Sequence, residues 1–180
     1  GEGTATFTAE CLLQAHTTPL PRLFLVDLTQ HCGQELTAQG AFQRSLAAFL
    51  VALAERLPHV VLANISVLLP LLDVDCYPIR QAIVESMGHL LSAEGRKLPR
   101  GAHSVQPTTE DAEEATEEIV QSSSGTFSLA AATKTDLLET LFTRSLDKSV
   151  WVRYRVLQTL TGLASNSRLP REQWPRVLDL

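Results

Sequence analysis

The chain has 180 residues, is 44% hydrophobic and 19% charged, and carries a formal net charge of −5. That length allows one sizeable core, and the acidic balance excludes a uniformly basic nucleic-acid binder. Three scattered cysteines, Cys11, Cys32 and Cys76, show no C-x-x-C spacing, which favours a reduced, intracellular setting over a disulfide framework.

The first 40 residues are the hardest to read. "TATFTAECLLQAH" has the composition of a helix, and "TTPLPR" interrupts it, because each proline removes a donor and restricts its predecessor. "RLFLVDLTQHC" suits either a short helix or a buried strand; helix is preferred because everything downstream is helical. Residues 41–92 are clearer. Phe42, Leu46, Phe49, Leu50, Leu53 and Leu57 recur at helical intervals, with Gln43, Arg44 and Glu55 off the stripe. Pro58 ends that helix, and "VVLANISVLLPLL" predicts another immediately after it. Such a short connection makes the two antiparallel neighbours. A third helix is predicted over 77–92, with Pro78 harmless in its first turn and Ile79, Ile83, Met87, Leu90 and Leu91 inward. Gly95 and Pro99 close it.

Residues 93–134 differ in kind. They are poor in large apolar side chains, and the stretch 107–121 holds six acids and no base. Such a segment buries too little to offset its ordering entropy, so it reads as a flexible acidic insertion. Helical patterning resumes in 135–180. "TDLLETLFTRSL" has Thr135 as its expected cap and Leu137, Leu138, Leu141, Phe142 and Leu146 inward. "DKS" is a turn, and "VWVRYRVLQTLTGLA" is a helix with the stripe Val152, Val156, Leu160 and Leu163. The opening glycine and the helix-like "REQWPRVLDL" at the end lead us to expect a fragment of something longer. No secretory leader is read at the N-terminus. The most apolar run, Val60 to Leu72, contains Asn64, Ser66 and Pro70 and is too short to span a bilayer.

Two stretches align: "LLPLLDVDCYPIRQAIVESMGHL" and "LFTRSLDKSVWVRYRVLQTLTGL". Each reads as a helix, a turn with aspartate, a β-branched residue followed by arginine, and a second helix. Ile79-Arg80 matches Val152-Arg153, Ile83 matches Val156, and Met87 matches Leu160; the turn aspartate opposite Asp147 is Asp73 or Asp75. A hairpin of this kind cannot bury its apolar face alone and must stack on neighbours. The unit resembles the HEAT repeat, carried by Pro70, Asp75, Ile79-Arg80, Gly88 and Leu90. The resemblance implies an all-α HEAT-repeat solenoid of stacked antiparallel hairpins. It makes Asp75, Ile79, Arg80, Asp147, Val152 and Arg153 structural turn and ladder residues, tying adjacent hairpins together.

Over roughly residues 57–180 the pattern also resembles the D2-type non-SMC subunits of condensin. The carrying features are Asn64-Ile65-Ser66, Leu72-Asp73, Tyr77 and Arg80, then an acidic spacer, "VWVRYRVLQ" and Leu169-Pro170. Pro78 and Gln81 depart from the pattern, and the first third matches only as generic helices. The resemblance implies a non-catalytic scaffold with no cofactor and no small-molecule substrate. Its expected partners are a kleisin and the SMC ATPases, and its expected role is mitotic chromosome condensation in the nucleus and on chromosomes, with the cytoplasm a second location in interphase. Another HEAT scaffold, such as a nuclear transport receptor or phosphatase scaffold, is the alternative. A helical enzyme domain with its site in the first third is a further one.

Chemistry is otherwise sparse. The five histidines, His16, His31, His59, His89 and His103, share no ligand spacing. His31-Cys32 are sequence neighbours that point apart on a helix, and "GEGTATF" lacks the strand and glycine spacing of a phosphate loop. Arg144, Lys148, Arg155, Arg168 and Arg171, interleaved with Trp151 and Tyr154, form a candidate contact for a DNA backbone or an acidic partner; internal ion pairing is the plainer reading. Thr108, three residues before Asp111, suits an acid-directed kinase, and Thr18-Pro19 suits a proline-directed one.

Overall fold

A computed structural model describes residues 11, 20–35, 40–97 and 126–179. The described chain is all-α. Helix α1 spans Leu20–Glu35 and α2 spans Gly40–Arg56. They are followed by α3, Pro58–Ala63, and α4, Ile65–Leu68, which runs into a 3-10 segment over Leu69–Asp73. Helix α5 covers Tyr77–Ala93, α6 Ala131–Arg144, α7 Val150–Ser165 and α8 Trp174–Leu178. An antiparallel bridge, Lys97 to Thr126, joins the points where the insertion leaves and returns.

The ambiguous "RLFLVDLTQHC" is helix, continuing past Gly33, with Pro21 tolerated in its first turn. Leu25 is fully buried and Phe24 meets Phe49 edge-to-face at 5.6 Å, which docks α1 on α2. The α2 stripe is buried through Leu46, Phe49, Leu50, Leu53 and Leu57, but Phe42, in the first turn, is exposed. The segment after Pro58 is not one helix. Asn64 lies at a turn, its buried amide donating to the Val60 carbonyl (2.8 Å), and divides the segment into α3 and α4. Pro70 then fits the start of the tighter 3-10 turn, where its missing N–H costs nothing.

Helix α5 is the centre of the molecule. Ile79, Ala82, Ile83, Val84, Met87, Leu90 and Leu91 are all buried, and solvent reaches a stripe through Tyr77, Pro78, Gln81, Glu85, His89 and Ser92. One flank meets α2, where Ser86 Oγ, which donates to the Ala82 carbonyl (2.8 Å), lies 3.3 Å from the Leu50 carbonyl; the other meets α7. Paired positions rise together along α5 and α7, from Arg80–Asp147 through Glu85–Arg155 to Gly88–Thr159, so the two helices run parallel. Helices α2, α5 and α7 thus form one layer. Helix α3 and the 3-10 segment pack on α5, α6 packs on α5 and α7, and α8 packs on α7. The Ile79-Arg80 and Val152-Arg153 pairs lie in the first turns of α5 and α7. This is an all-α helical repeat.

Three further expectations need correcting. Order around the insertion extends further inward than 93–134: Ala93 ends α5, Phe127 and Leu129 are buried, and α6 begins at Ala131. Thr135 is therefore no cap; it lies inside α6 and its hydroxyl donates back to the Ala131 carbonyl. Leu146 lies beyond the end of α6 and is 86% exposed, not inward. At the junction Gly95 takes φ +80°, a left-handed position after the helix end that glycine adopts without strain. Its N–H donates to the Phe127 carbonyl, and the Phe127 N–H donates to the Arg96 carbonyl, both at 2.8 Å.

Candidate functional site

The seam between the two hairpins is where charged side chains gather. The Arg80 guanidinium donates from Nε and Nη2 to the two carboxylate oxygens of Asp147, each at 2.9 Å. Both side chains are at least 96% buried. Nη1 of the same arginine donates to the Val74 carbonyl (2.8 Å), and Asp147 also accepts the Ser149 N–H. One arginine thus holds its own turn and the turn of the next hairpin. Burial pushes the Asp147 carboxyl up, but the hydrogen bonds from Arg80 and Ser149 and the nearby Arg144 charge outweigh it and hold the group below the usual aspartate range.

Four further pairs cross the seam, all with the acid on the first hairpin. Arg144 bonds the Asp73 carboxylate (2.7 Å) and the Leu72 carbonyl (3.0 Å). Lys148 meets Asp75 at 2.6 Å, Arg155 meets Glu85 at 3.4 Å, and Lys134 meets Glu94 at 2.8 Å. The Lys148 hydrogen bond and charge hold the exposed Asp75 carboxyl below its ordinary value. On α8, Arg176 pairs with Glu139 and sits 4.1 Å over the Phe142 ring, which fixes α8 on α6. Its hydrogen bonds lower the Glu139 carboxyl and raise the Arg176 guanidinium.

These contacts re-sort the residues singled out from sequence. Ile79 and Val152 are fully buried, and Arg80 with Asp147 forms the tie between hairpins. Asp75 meets a lysine, not an arginine. Among the described residues Arg153 reaches only the carbonyls of its own turn, Asp147 (2.8 Å) and Lys148 (3.4 Å). Of the five candidate cations, Arg144, Lys148 and Arg155 are engaged with seam acids, while Arg168 and Arg171 meet no partner among the described residues. Trp151 and Tyr154 are more than half exposed on the outer stripe of α7. Thr18 and Thr108 lie outside the described residues, as do His16, His103 and the side chains of His31 and Cys32.

The outer face of the layer carries an open groove of about 600 Å³ lined by Arg44, Val51, Glu55, Tyr77, Gln81, Glu85 and Arg155. It presents both signs of charge, from Arg44, Glu55, Glu85 and Arg155, beside apolar side chains. Sequence reading missed this groove because its residues come from three helices. Among the described residues no group of histidine, cysteine and acid could hold a metal, and no helix is long and apolar enough to cross a membrane.

Fold and seam together define a helical-repeat unit whose polar chemistry joins hairpins. Compared with known proteins, the chain is similar to condensin complex subunit 1 of Homo sapiens, 29% identical over 156 residues, which is 86% of this chain and 9% of that protein. Condensin complex subunit 1 of Xenopus laevis is 25% identical over 154 residues, covering 86% and 9% of the two chains. The condensin-1 complex subunit CAP-D2 of Arabidopsis thaliana is 29% identical over 136 residues, covering 76% and 8%. The chain therefore spans under a tenth of the length of these relatives. No family model matches it. No solved structure matches it significantly.

Proposed function

We propose that this chain is a HEAT-type segment of a non-catalytic condensin scaffold subunit of the D2 type. The observation that carries the proposal is the similarity to condensin subunits across 86% of the chain in vertebrates and 76% in a plant. The buried Arg80–Asp147 tie supports it, because it joins two successive helical hairpins, as a stacked repeat requires. In this reading the segment contributes a stiff pair of hairpins and an exposed outer face. That face helps a kleisin and two SMC ATPases assemble on a nuclear, chromosomal complex. The ATP-driven chemistry resides in other subunits.

A weak DNA-backbone contact, if part of this role, falls to Arg168 and Arg171, since Arg144, Lys148 and Arg155 already have carboxylates. Two cations change affinity modestly and with a shallow salt dependence. The test is affinity purification of the full-length protein from dividing cells. A kleisin and two SMC ATPases recovered in comparable amounts is the expected result. A GTPase or a phosphatase catalytic subunit in their place would keep the helical repeat and overturn the assignment.

A further inference from the structure

We propose that the outer groove, across α2 and α5, docks an amphipathic helix of a partner protein, with large apolar residues against α2 and a carboxylate at the end that meets Arg44.

The floor decides the shape of the occupant. Along α2 the groove presents Arg44, Ala47, Ala48, Val51, Ala52 and Glu55, one face of the helix about 16 Å long. Ala82 of α5 continues the same floor. Alanine side chains leave the space above them open, and that space, about 600 Å³, takes bulk from the occupant. The middle of a helix has no backbone donor or acceptor to offer, because each is already bonded along the helix. An extended segment laid over alanine and valine would give up its own hydrogen bonds to water without replacement. A helix brings its backbone bonds with it.

Charge decides one end. The Glu85–Arg155 pair in the wall is balanced within itself at 3.4 Å. At the far end Glu55 stands beside Arg56 in the chain, and Arg96 holds the Glu55 carbonyl at 2.9 Å, so that end carries both signs. Arg44 has no such balance. It meets no carboxylate among the described residues. A Cβ built on Gly40, the first residue of α2, would lie 3.8 Å from Arg44 Nη1, so the guanidinium sits at the start of its own helix. That is the positive end of the helix dipole, where an anion is favoured and a cation is not.

The neighbouring helices show the difference. Asp75 stands just ahead of α5 and Asp147 just ahead of α7. Residues 36–39, ahead of α2, include no acid, and neither does its first turn. The groove therefore begins at a positive end that the nearby sequence does not compensate. A carboxylate on the docked helix supplies the missing charge.

The test places photoreactive benzoylphenylalanine at Ala48, an exposed floor position, in the full-length protein in dividing cells. Mass spectrometry then identifies the crosslinked peptide. The expected peptide comes from one other protein, has apolar residues at helical spacing, and carries Asp or Glu at one end of that run. Arg44→Glu lowers the crosslink yield severalfold, as does a lysine in place of the partner's acid, and the two changes together restore it. The urea midpoint of the Arg44→Glu chain stays at or above that of the parent, which separates lost docking from lost folding. The proposal is overturned by no crosslink, by a crosslink to this chain itself, by peptides scattered over unrelated proteins, by a peptide without the helical pattern or the acid, or by a yield indifferent to Arg44→Glu. The docking role of this face rests on the reading above. Recovery of a kleisin and two SMC ATPases with no crosslink at Ala48 overturns the groove and leaves that reading standing.

Discussion

Replacing Asp147 with asparagine removes one charge from the tie between hairpins and little else. The amide keeps the size of the carboxylate, and its oxygen can still accept the Ser149 N–H or one guanidinium donor. Arg80, only 3% exposed, is left as a buried cation without a counter-charge. Breaking a buried pair in this way costs about 3–5 kcal/mol, and the surviving hydrogen bond places Asp147→Asn near the lower end, about 3 kcal/mol. With a urea dependence of about 2 kcal/mol per molar, that is a fall of about 1.5 M in midpoint. The double variant Arg80→Met/Asp147→Leu should recover most of it, because an apolar pair avoids burying charge at all. Both tryptophans, Trp151 and Trp174, lie in or beyond α7. Fluorescence therefore follows the second hairpin while far-UV circular dichroism follows the whole chain, and in Asp147→Asn the two transitions should separate. A midpoint shift below about 0.5 M, or a double variant as unstable as the single, would refute the reasoning.

Gly88→Ala would place a Cβ 2.6 Å from Thr159 Cγ2. It should destabilise by about 1–2 kcal/mol despite alanine's better helix propensity, and Thr159→Ala in the same chain should restore the midpoint; equal midpoints for both chains would refute the close approach of α5 and α7. Acid should weaken the tie in a definite direction. Asp147 is held below its ordinary value, so its contribution is complete above the unfolded aspartate pKa of about 3.9 and is lost as pH falls through the folded value. The gap between wild type and Asp147→Asn, followed by urea midpoints from neutral pH downward, should therefore shrink only below that point. Phe127→Ala should cost about 3 kcal/mol, since Phe127 is a buried core residue and not part of a solvated linker. Replacing residues 101–123 with a short Gly-Ser linker should leave the midpoint within about 1 kcal/mol of the parent.

The helices that stand at the centre of the layer were the readable ones. Leu46 to Leu57 in α2, Ile79 to Leu91 in α5 and Val152 to Leu163 in α7 are buried on one broad face, and period alone reveals such faces. The arginine after each β-branched residue was legible for the same reason, because it repeats in register. What sequence could not show depends on neighbours far along the chain. Asp73, Asp75 and Glu85 meet cations 70–73 residues away, so sequence could favour internal ion pairing of the basic cluster but could not name the acids that engage it. Leu146 failed a pattern test because α6 stops at Arg144 and the turn carries the leucine away from the core. Asn64 interrupts an apolar run by bonding to its own backbone, a local competition that hydrophobic periodicity does not register. The outer groove draws on three helices, and no window of sequence contains it.

The bridge between Lys97 and Thr126 has a consequence for how such a chain can vary. The two strand-like ends are pinned side by side, and the Phe127 and Leu129 side chains are anchored just after them. Whatever joins those ends inherits a closed gate, and the entropy of closing it grows only with the logarithm of the length, about 0.6 kcal/mol per doubling. The length of whatever joins those ends therefore bears only weakly on the stability of the helices on either side.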